Sequence, residues 1–214
     1  MPIAELLDFW KRNRIVTENK VLAAFKSVKR EYFVPLHLKQ ESYLDIPLPI
    51  GYGQTISQPT TIAIMTQALE LKAGMKVLEI GAGSGYQAAL LGYIVGMKGR
   101  VLTIEIIPEL AETAKRNLKR AKIKNAEVIC ADGSLGYAKE APYDRIIFTA
   151  APAETPKHLL KQLKKGGILL APIGQLYNQQ LLKIKKKDAA GKKLEIENLG
   201  DFIFVPLRGR KGLF

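Results

Sequence analysis

The sequence predicts an α/β fold built on a doubly wound, mostly parallel sheet with helices on both faces. From residue 76 to residue 171, short and nearly continuous apolar runs alternate with amphipathic stretches of helical spacing, the pattern of a parallel sheet buried on both faces. The 214 residues are 47% hydrophobic and 25% charged, so the chain can bury a core without covalent crosslinks. Its single cysteine, Cys130, excludes an internal disulfide framework and a multi-cysteine zinc site.

The first 58 residues predict a helical and irregular extension before this sheet. Two short segments within the first 30 residues carry apolar residues at helical spacing, and Thr17 is placed to cap the second one. The apolar residues are Leu6, Leu7, Phe9 and Trp10 in the first segment and Val21, Leu22, Phe25 and Val28 in the second. Residues 31–58 contain repeated prolines and glycines, which favour neither a long helix nor a regular strand. An irregular segment of this length inside a compact domain is usually functional.

The elements of the sheet region follow in order along the chain. Prolines 59 and 108 open two of the predicted helices, and glycines 166 and 167 are expected to end a later one. The predicted strands cover 77–80, 101–104, 128–130, 145–148 and 168–171, and the predicted helices cover 60–71, 86–95, 108–121 and 156–163. The last 35 residues alternate apolar and polar positions, which predicts an antiparallel edge added to the sheet.

The charge balance is strongly basic. The chain has 33 lysines and arginines against 20 acidic residues, for a net charge of +13, and such a field attracts polyanions. The basic runs are not interleaved with the aromatic residues that single-strand binders use for stacking, so a solvated lysine-rich surface is the favoured interpretation. No apolar run is long enough to span a membrane and no secretory signal stands at the N-terminus. We expect a cytoplasmic protein that does not act at a membrane.

A glycine-rich turn follows the first predicted strand of the sheet. Residues 79–85 read EIGAGSG, and their glycines alternate rather than follow the G-x-G-x-x-G spacing of dinucleotide sites. Ligands of doubly wound sheets bind at the carboxyl end of this strand, where the strand order reverses. Glycines 81, 83 and 85 therefore predict close approach of the backbone to a mononucleoside ligand.

Acidic residues stand at the ends of three successive predicted strands. Glu105 lies 20 residues after Gly85, the offset at which a carboxylate accepts hydrogen bonds from ribose hydroxyls. Asp132, followed by Gly133, is placed to receive an exocyclic amine. Glu79 adds an anion beside the glycine turn, which suits a cationic ligand.

These residues resemble the S-adenosylmethionine-dependent methyltransferases with a Rossmann-like, seven-stranded sheet. The resemblance narrows to the protein-L-isoaspartate (D-aspartate) O-methyltransferase family through residues 50–59 (IGYGQTISQP), 141–147 (APYDRII), 162–167 (QLKKGG) and 204–207 (FVPL). It covers nearly the whole chain, including the irregular 31–58 segment. Two departures are Ala131, where many members carry glycine, and Thr60, where some carry histidine.

The resemblance implies a protein repair enzyme that transfers a methyl group from S-adenosylmethionine to the free carboxylate of L-isoaspartyl and D-aspartyl residues, leaving S-adenosyl-L-homocysteine. It implies cofactor binding at Glu79, Gly81, Gly83, Gly85, Glu105, Asp132 and Gly133. Ser57 matches the family's active-site serine, and Thr55, Ile56, Ser57 and Val205 are expected to bind substrate. No metal is expected. The expected partners are isoaspartyl peptides and proteins, with no specific nucleic acid and a monomeric state.

The same resemblance divides the chain within one methyltransferase domain over residues 1–214. Residues 1–58 are expected to form N-terminal helices and a substrate-side segment, 59–175 the cofactor-binding core, and 176–214 the C-terminal edge of the sheet. The order of the last strands is left open by the sequence, although an exchange of the last two is a feature of the family.

The implied methyl transfer to a carboxylate makes little use of acid–base catalysis. A carboxylate with a pKa of about 4 is ionised at neutral pH, so in-line displacement needs positioning rather than a general base. Ser57 is expected to donate one hydrogen bond to that carboxylate, and its alternative role is a helix N-cap before Pro59.

Two other functions stay open at this point. An RNA methyltransferase is favoured only by the +13 charge. Cys130, the one thiol that could act as the nucleophile of such an enzyme, falls in an apolar strand and is predicted to be a core residue. A non-catalytic nucleotide-binding or RNA-binding module is the third interpretation.

Overall fold

The computed structural model describes residues 2–212, and within them five α-helices and nine strands. The α-helices are α1 (Ile3–Arg12), α2 (Asn19–Ser27), α3 (Pro59–Ala68), α4 (Tyr86–Val95) and α5 (Pro108–Arg120). The strands are β1 (Leu48–Gly51), β2 (Gln54–Ile56), β3 (Lys76–Ile80), β4 (Arg100–Glu105), β5 (Ala126–Cys130), β6 (Tyr143–Phe148), β7 (Leu163–Gln175), β8 (Asn178–Lys186) and β9 (Leu194–Phe202).

The seven-stranded sheet confirms the predicted doubly wound, mostly parallel architecture. Its strand order is β5-β4-β3-β6-β7-β8-β9. The first five strands in this order run parallel, whereas β8 and β9 join as antiparallel neighbours. After β3, the chain adds β4 and β5 on one side of β3 and then β6 to β9 on its other side. The strand order therefore reverses beside β3. The edge that the sequence left open has β8 inside and β9 outside.

Helix α4 has the predicted bounds because glycine ends it at both sides. Gly85 caps its start at φ +85° and Gly96 its end at φ +66°, and both are left-handed conformations that glycine adopts at little cost. Most of its side chains are buried, since it packs between the sheet and α2. Helix α5 instead buries one stripe and leaves its basic face exposed.

The two N-terminal helices are present as predicted, with one exposed residue among the predicted apolar positions and a different cap. Trp10 and Phe25 pack edge to face, with ring centroids 4.9 Å apart, whereas Phe9 is 44% exposed. Thr17 does not cap α2, so that prediction is wrong. The Oε1 atom of Gln67 accepts hydrogen bonds from the backbone N–H groups of Thr17 (2.7 Å) and Glu18 (3.0 Å), so a distant side chain holds this end of the helix.

The irregular segment contains short structure that the sequence did not indicate. Its 3₁₀ turns are Arg30–Tyr32 and Leu36–Glu41, and β1 and β2 pair as an antiparallel hairpin. The hairpin turns through Tyr52, which has φ +56° between two glycines that also have positive φ. The segment is thus no long helix, as predicted, but it does carry a strand pair.

Two further predictions are wrong in detail. The helix predicted over 156–163 is a 3₁₀ helix, Lys157–Gln162, and β7 already begins at Leu163. The Nζ atom of the buried Lys186 donates to the carbonyl oxygens of Leu160 (2.6 Å) and Leu163 (2.7 Å), so these carbonyls serve the neighbouring strand instead of a longer helix. Cys130 is exposed rather than in the core, because β5 is the outer strand of the sheet and Cys130 is its last residue.

Within the described part of the chain, no helix combines the length and the apolar character needed to cross a membrane.

Candidate active site

A cavity lies at the carboxyl ends of β3 and β4, where the strand order reverses. Three parts of the chain enclose it: the glycine turn after β3, the end of the β1–β2 hairpin, and the segment after β9. Its lining includes Thr55, Ile56, Ser57, Glu79, Gly81, Gly83, Glu105, Gly133, Thr149, Phe204, Val205 and Pro206. The fold therefore brings most of the sequence-predicted site residues to one place.

The glycine turn needs glycine for steric reasons at both of its ends. Gly81 has φ +100°, and a Cβ atom there would lie 2.5 Å from the Thr149 hydroxyl oxygen. Gly85 has φ +85°, and a Cβ atom there would lie 3.3 Å from the backbone of Ala114 in α5. The positive φ favours glycine at both positions, and a side chain would clash with Thr149 at residue 81 and press tightly on α5 at residue 85.

Glu105 holds the glycine turn in place. Its buried carboxylate accepts hydrogen bonds from the N–H of Gly83 (2.8 Å) and from the N–H of Ile107 (3.0 Å). A carboxylate has about four acceptor positions, so two of them are left for a ligand. Glu105 is thus both a support of the turn and an acceptor at the cavity.

Glu79 is fully buried beside the same turn. Neither of its carboxyl oxygens has a hydrogen-bond partner among residues 2–212. Burial raises the pKa of this carboxyl to about 8, although the adjacent Thr103 hydroxyl lowers it in part, and the nearby Glu105 carboxylate adds to the rise. The predicted anion is therefore protonated at neutral pH in this structure, because desolvation disfavours the charged form.

Of the adjacent residues Asp132 and Gly133, only one lines the cavity. Gly133 lines the cavity, whereas the Asp132 carboxylate accepts hydrogen bonds from the N–H groups of Ser134 and Arg210, both at 2.8 Å. Although burial opposes the shift, these N–H groups lower the pKa of Asp132 below its ordinary value. Asp132 thus ties the C-terminal segment to the loop after β5 and is not among the lining residues.

Ser57 lines the same cavity as the glycine turn and comes directly after β2. It is half-buried and lines the cavity with Thr55 and Ile56. The residue at the N-cap of α3 is Gln58, so the alternative role of Ser57 as that cap does not hold. Val205 also lines the cavity, and its carbonyl oxygen accepts a hydrogen bond of 2.8 Å from the N–H of Ala151.

Asp45, a residue that the sequence did not single out, holds the residues that directly follow Ser57. The Asp45 carboxylate accepts hydrogen bonds from the backbone N–H of Thr60 (2.8 Å), the Thr60 hydroxyl (2.6 Å) and the Gln58 amide (3.1 Å). The Trp10 indole N–H donates to the same hydroxyl at 2.7 Å. Asp45 therefore caps α3 from 15 residues away, and no local pattern signals such a cap.

The residues of the cavity fit S-adenosylmethionine, the group that the sequence resemblance implies. The buried and unpartnered carboxyl of Glu79 matches the cofactor's cationic end, and the free acceptor positions of Glu105 match ribose hydroxyls. No cluster of three or more potential metal ligands is present between residues 2 and 212.

Comparison with known proteins decides the family. The model of the protein-L-isoaspartate(D-aspartate) O-methyltransferase (PCMT) family matches residues 2–212. The chain belongs to this family. A protein-L-isoaspartate O-methyltransferase 2 of Archaeoglobus fulgidus is 50% identical over 201 residues, which are 94% of this chain and 90% of that protein. A protein-L-isoaspartate O-methyltransferase of Staphylothermus marinus is 48% identical over 214 residues, covering 97% and 94% of the two chains.

Solved structures of the PCMT family share the fold described here. A beta-aspartate methyltransferase from Plasmodium falciparum, in complex with S-adenosyl-L-homocysteine, superimposes with a TM-score of 0.83 at 27% identity, covering 95% of this chain and 97% of that one. A second structure, a protein-L-isoaspartate O-methyltransferase, gives a TM-score of 0.85 at 32% identity, covering 99% of this chain and 67% of that one.

Proposed function

We propose that this cavity transfers a methyl group from S-adenosylmethionine to the free carboxylate of L-isoaspartyl and D-aspartyl residues in damaged proteins. The proposal rests on one observation: most of the predicted cofactor-binding residues line the same cavity as the predicted substrate-binding residues. The glycine turn with Glu79 and Glu105 lines one part of the cavity, and the hairpin end with Ser57 lines another part. Membership in the PCMT family supplies the reaction that such an arrangement serves.

The glycine-turn part of the cavity is the cofactor side. Glu105 is placed to accept hydrogen bonds from the ribose, while Glu79 is placed to partner a cation and Gly83 leaves room beside them. A cation next to Glu79 would favour its ionised form. When bound, S-adenosylmethionine supplies a methyl group activated by its sulfonium. Asp132 retains a cofactor role in this proposal only through the loop that it holds beside Gly133.

The hairpin part of the cavity is the substrate side. The Ser57 hydroxyl is placed to donate a hydrogen bond to one oxygen of the substrate carboxylate, which fixes its direction without the charge of a lysine. Because that carboxylate is already ionised at neutral pH, no general base is required. The two histidines agree with this chemistry, since neither His37 nor His158 is among the residues lining the cavity.

The segment with Val205 is the second substrate contact of the proposal. Phe204, Val205 and Pro206 follow β9 and line the cavity, and Pro206 forms a parallel bridge with Ala151. Main chain that forms such strand-like bridges pairs with peptides of many sequences. Broad pairing of this kind suits an enzyme that acts on damage rather than on one sequence. Thr55 and Ile56 then flank the substrate residue on the hairpin side.

The proposal assigns a task to each part of the chain. Residues 1–58 shape the substrate side, 59–175 hold the cofactor, and 176–214 complete the sheet edge and contribute Val205. The substrates are isoaspartyl peptides and proteins, with no specific nucleic acid required, and the enzyme acts as a monomer.

A methyl-transfer assay with matched peptides tests this function. We expect tritiated methyl groups to pass to an isoaspartyl peptide and not to its normal aspartyl twin, which has the same composition. Equal labelling of both peptides, or labelling of RNA in their place, would reject the proposal.

A further inference from the structure

The positive charge of the protein is unevenly neutralised. The run of lysines over residues 183–187, at the end of β8, is largely paired with acidic residues. Lys183 pairs with Glu70 (2.8 Å) and Glu197 (3.2 Å), and Lys187 pairs with Glu195. Lys186 is buried and bonds to backbone carbonyls. This run therefore contributes little free positive charge at the surface.

One cluster of unpaired positive charge lies at the end of α5 and the start of β5. A groove of about 490 Å³ lies there. Its apolar residues are Leu118, Ile123, Ala126 and Val128, and its lysines are Lys115, Lys119, Lys122 and Lys124. Its one acidic residue, Glu127, is paired with Arg100 at 2.6 Å. The groove thus combines an apolar floor with a cationic rim.

Three of the four rim lysines make no ion pair with any described residue. Lys115 pairs with Glu112 at 2.7 Å, but Lys119, Lys122 and Lys124 are exposed and have no acidic partner within residues 2–212. Lys122 also has φ +59° just after the helix, where glycine is usual. The helix dipole favours a cation at Lys122 and also at Lys119, which lies in the last turn of α5, whereas Lys124 has no such structural reason.

The groove also follows an open strand edge. Strand β5 is outermost in the sheet. The N–H of Val101 donates to the carbonyl of Asn125, and the N–H of Ala131 donates to that of Glu105. Alternate residues of a parallel strand bond to the same neighbour, so Ala126 and Val128 direct their N–H and C=O groups outward. Both of these residues line the groove.

We propose that this groove is a second binding site, which takes an acidic, extended segment of a polypeptide as an added strand beside β5. Outward backbone groups pair with the main chain of the segment, acidic side chains face the unpaired lysines, and alternate apolar side chains cover Leu118 and Val128. Single-stranded nucleic acid fits less well, because stacking on aromatic rings is its usual anchor and no lining residue among those described is aromatic.

The site is separate from the active-site cavity, since the two share no lining residue. It goes beyond the proposed methyl transfer: it holds unfolded acidic stretches of a protein, with or without an isoaspartyl residue. A short substrate peptide does not need it.

The test is binding of a fluorescent peptide of about ten residues that alternates aspartate and valine and contains no isoaspartate. Fluorescence anisotropy is recorded with an unlabelled isoaspartyl peptide in excess, which keeps the probe out of the active site. The double variant Lys119→Ala with Lys122→Gly removes two rim charges and relieves the positive φ at residue 122. We expect it to bind about 2-fold to 30-fold more weakly, as two exposed ion pairs predict, while it methylates a short isoaspartyl peptide at the normal rate.

Matched controls separate this site from general electrostatics. Lys161→Ala with Lys165→Ala removes the same charge at exposed positions around β7, four strands away from β5, and should bind the probe as the wild type does. A probe with N-methylated alternate residues should bind weakly, because it cannot pair with the strand edge. Equal binding by both double variants, undetectable wild-type binding, or displacement of the probe by an oligouridylate would overturn the proposal.

Discussion

Ser57 is the residue on which the proposed chemistry depends most directly. It lines the cavity and does not cap α3, so its hydroxyl is free for a substrate. An oriented donor in a water-excluded site is worth about 100-fold to 1000-fold in rate. We therefore expect Ser57→Ala to lower the rate of methyl transfer by about that factor and to leave cofactor affinity, measured by calorimetry, nearly unchanged.

The threonine variant separates a hydroxyl role from a packing role. Ser57→Thr keeps the donor but adds a methyl group in a tight turn, so partial activity is expected. Wild-type activity in the alanine variant would show that Ser57 does not orient the carboxylate.

Glu79 predicts a pH dependence of stability in the cofactor-free protein. Its pKa is 4.5 when free and about 8 when folded, so between these values the folded state binds a proton that the unfolded state has lost. Its contribution is full below the free pKa and is lost as the pH rises through the folded pKa. We expect the free energy of unfolding to fall by on the order of 1–3 kcal/mol from about pH 5 to about pH 8.

Urea unfolding of Glu79→Gln measures this effect. The variant cannot ionise, so its stability relative to the wild type should increase steadily across the same pH range. Glu112→Gln, at an exposed position of α5, serves as the control and should follow the wild type. Parallel pH profiles for wild type and Glu79→Gln would contradict the assignment of a protonated, buried carboxyl.

At the scale of elements, the hairpin and α3 act as one unit because Asp45 joins them. Asp45 lies before β1, and its carboxylate bonds to Thr60 and Gln58 at the start of α3. Loss of a helix N-cap costs about 0.5–2 kcal/mol. We expect Asp45→Ala to lower the free energy of unfolding by about this amount, and to lower kcat because Ser57 sits between the two elements.

Two further variants make the Asp45 result specific. Asp45→Asn keeps one acceptor for the Thr60 N–H and should restore part of both stability and kcat. Asp8→Ala, on the exposed side of α1, should change neither. Full activity in Asp45→Ala, together with the expected loss of stability, would mean that the cap does not position Ser57.

At the scale of the whole molecule, the +13 charge predicts weak and unspecific attraction to nucleic acid. Such binding depends on released counterions, so it falls steeply between about 50 mM and about 200 mM salt. We expect single-stranded RNA to bind at the lower salt concentration and to lose most of its affinity at the higher one, as measured by filter binding. A tight complex with one RNA at the higher concentration would instead favour the RNA-methyltransferase interpretation.

Local patterns in the amino-acid sequence are enough to predict the order of the elements and the chemistry of the glycine turn. Helix α4 has its predicted bounds because glycines end it locally, and the alternation of apolar runs with amphipathic stretches already required a sheet covered on both faces. The sequence also predicts the site role of glycines 81, 83 and 85 and of Glu105, because the glycine turn and its acidic residue lie within one β-α-β unit. These features depend on residues that are close in the chain.

Only the tertiary structure decided what depends on distant neighbours. Cys130 is exposed because the strand order places β5 at the edge, and Asp132 turns away from the cavity because the backbone of Arg210 reaches it. Asp45 caps a helix 15 residues further on, and Glu79 holds its proton because the packed sheet excludes water from it. Burial and long-range hydrogen bonds arise only when the elements assemble. A local pattern of residues therefore does not predict them.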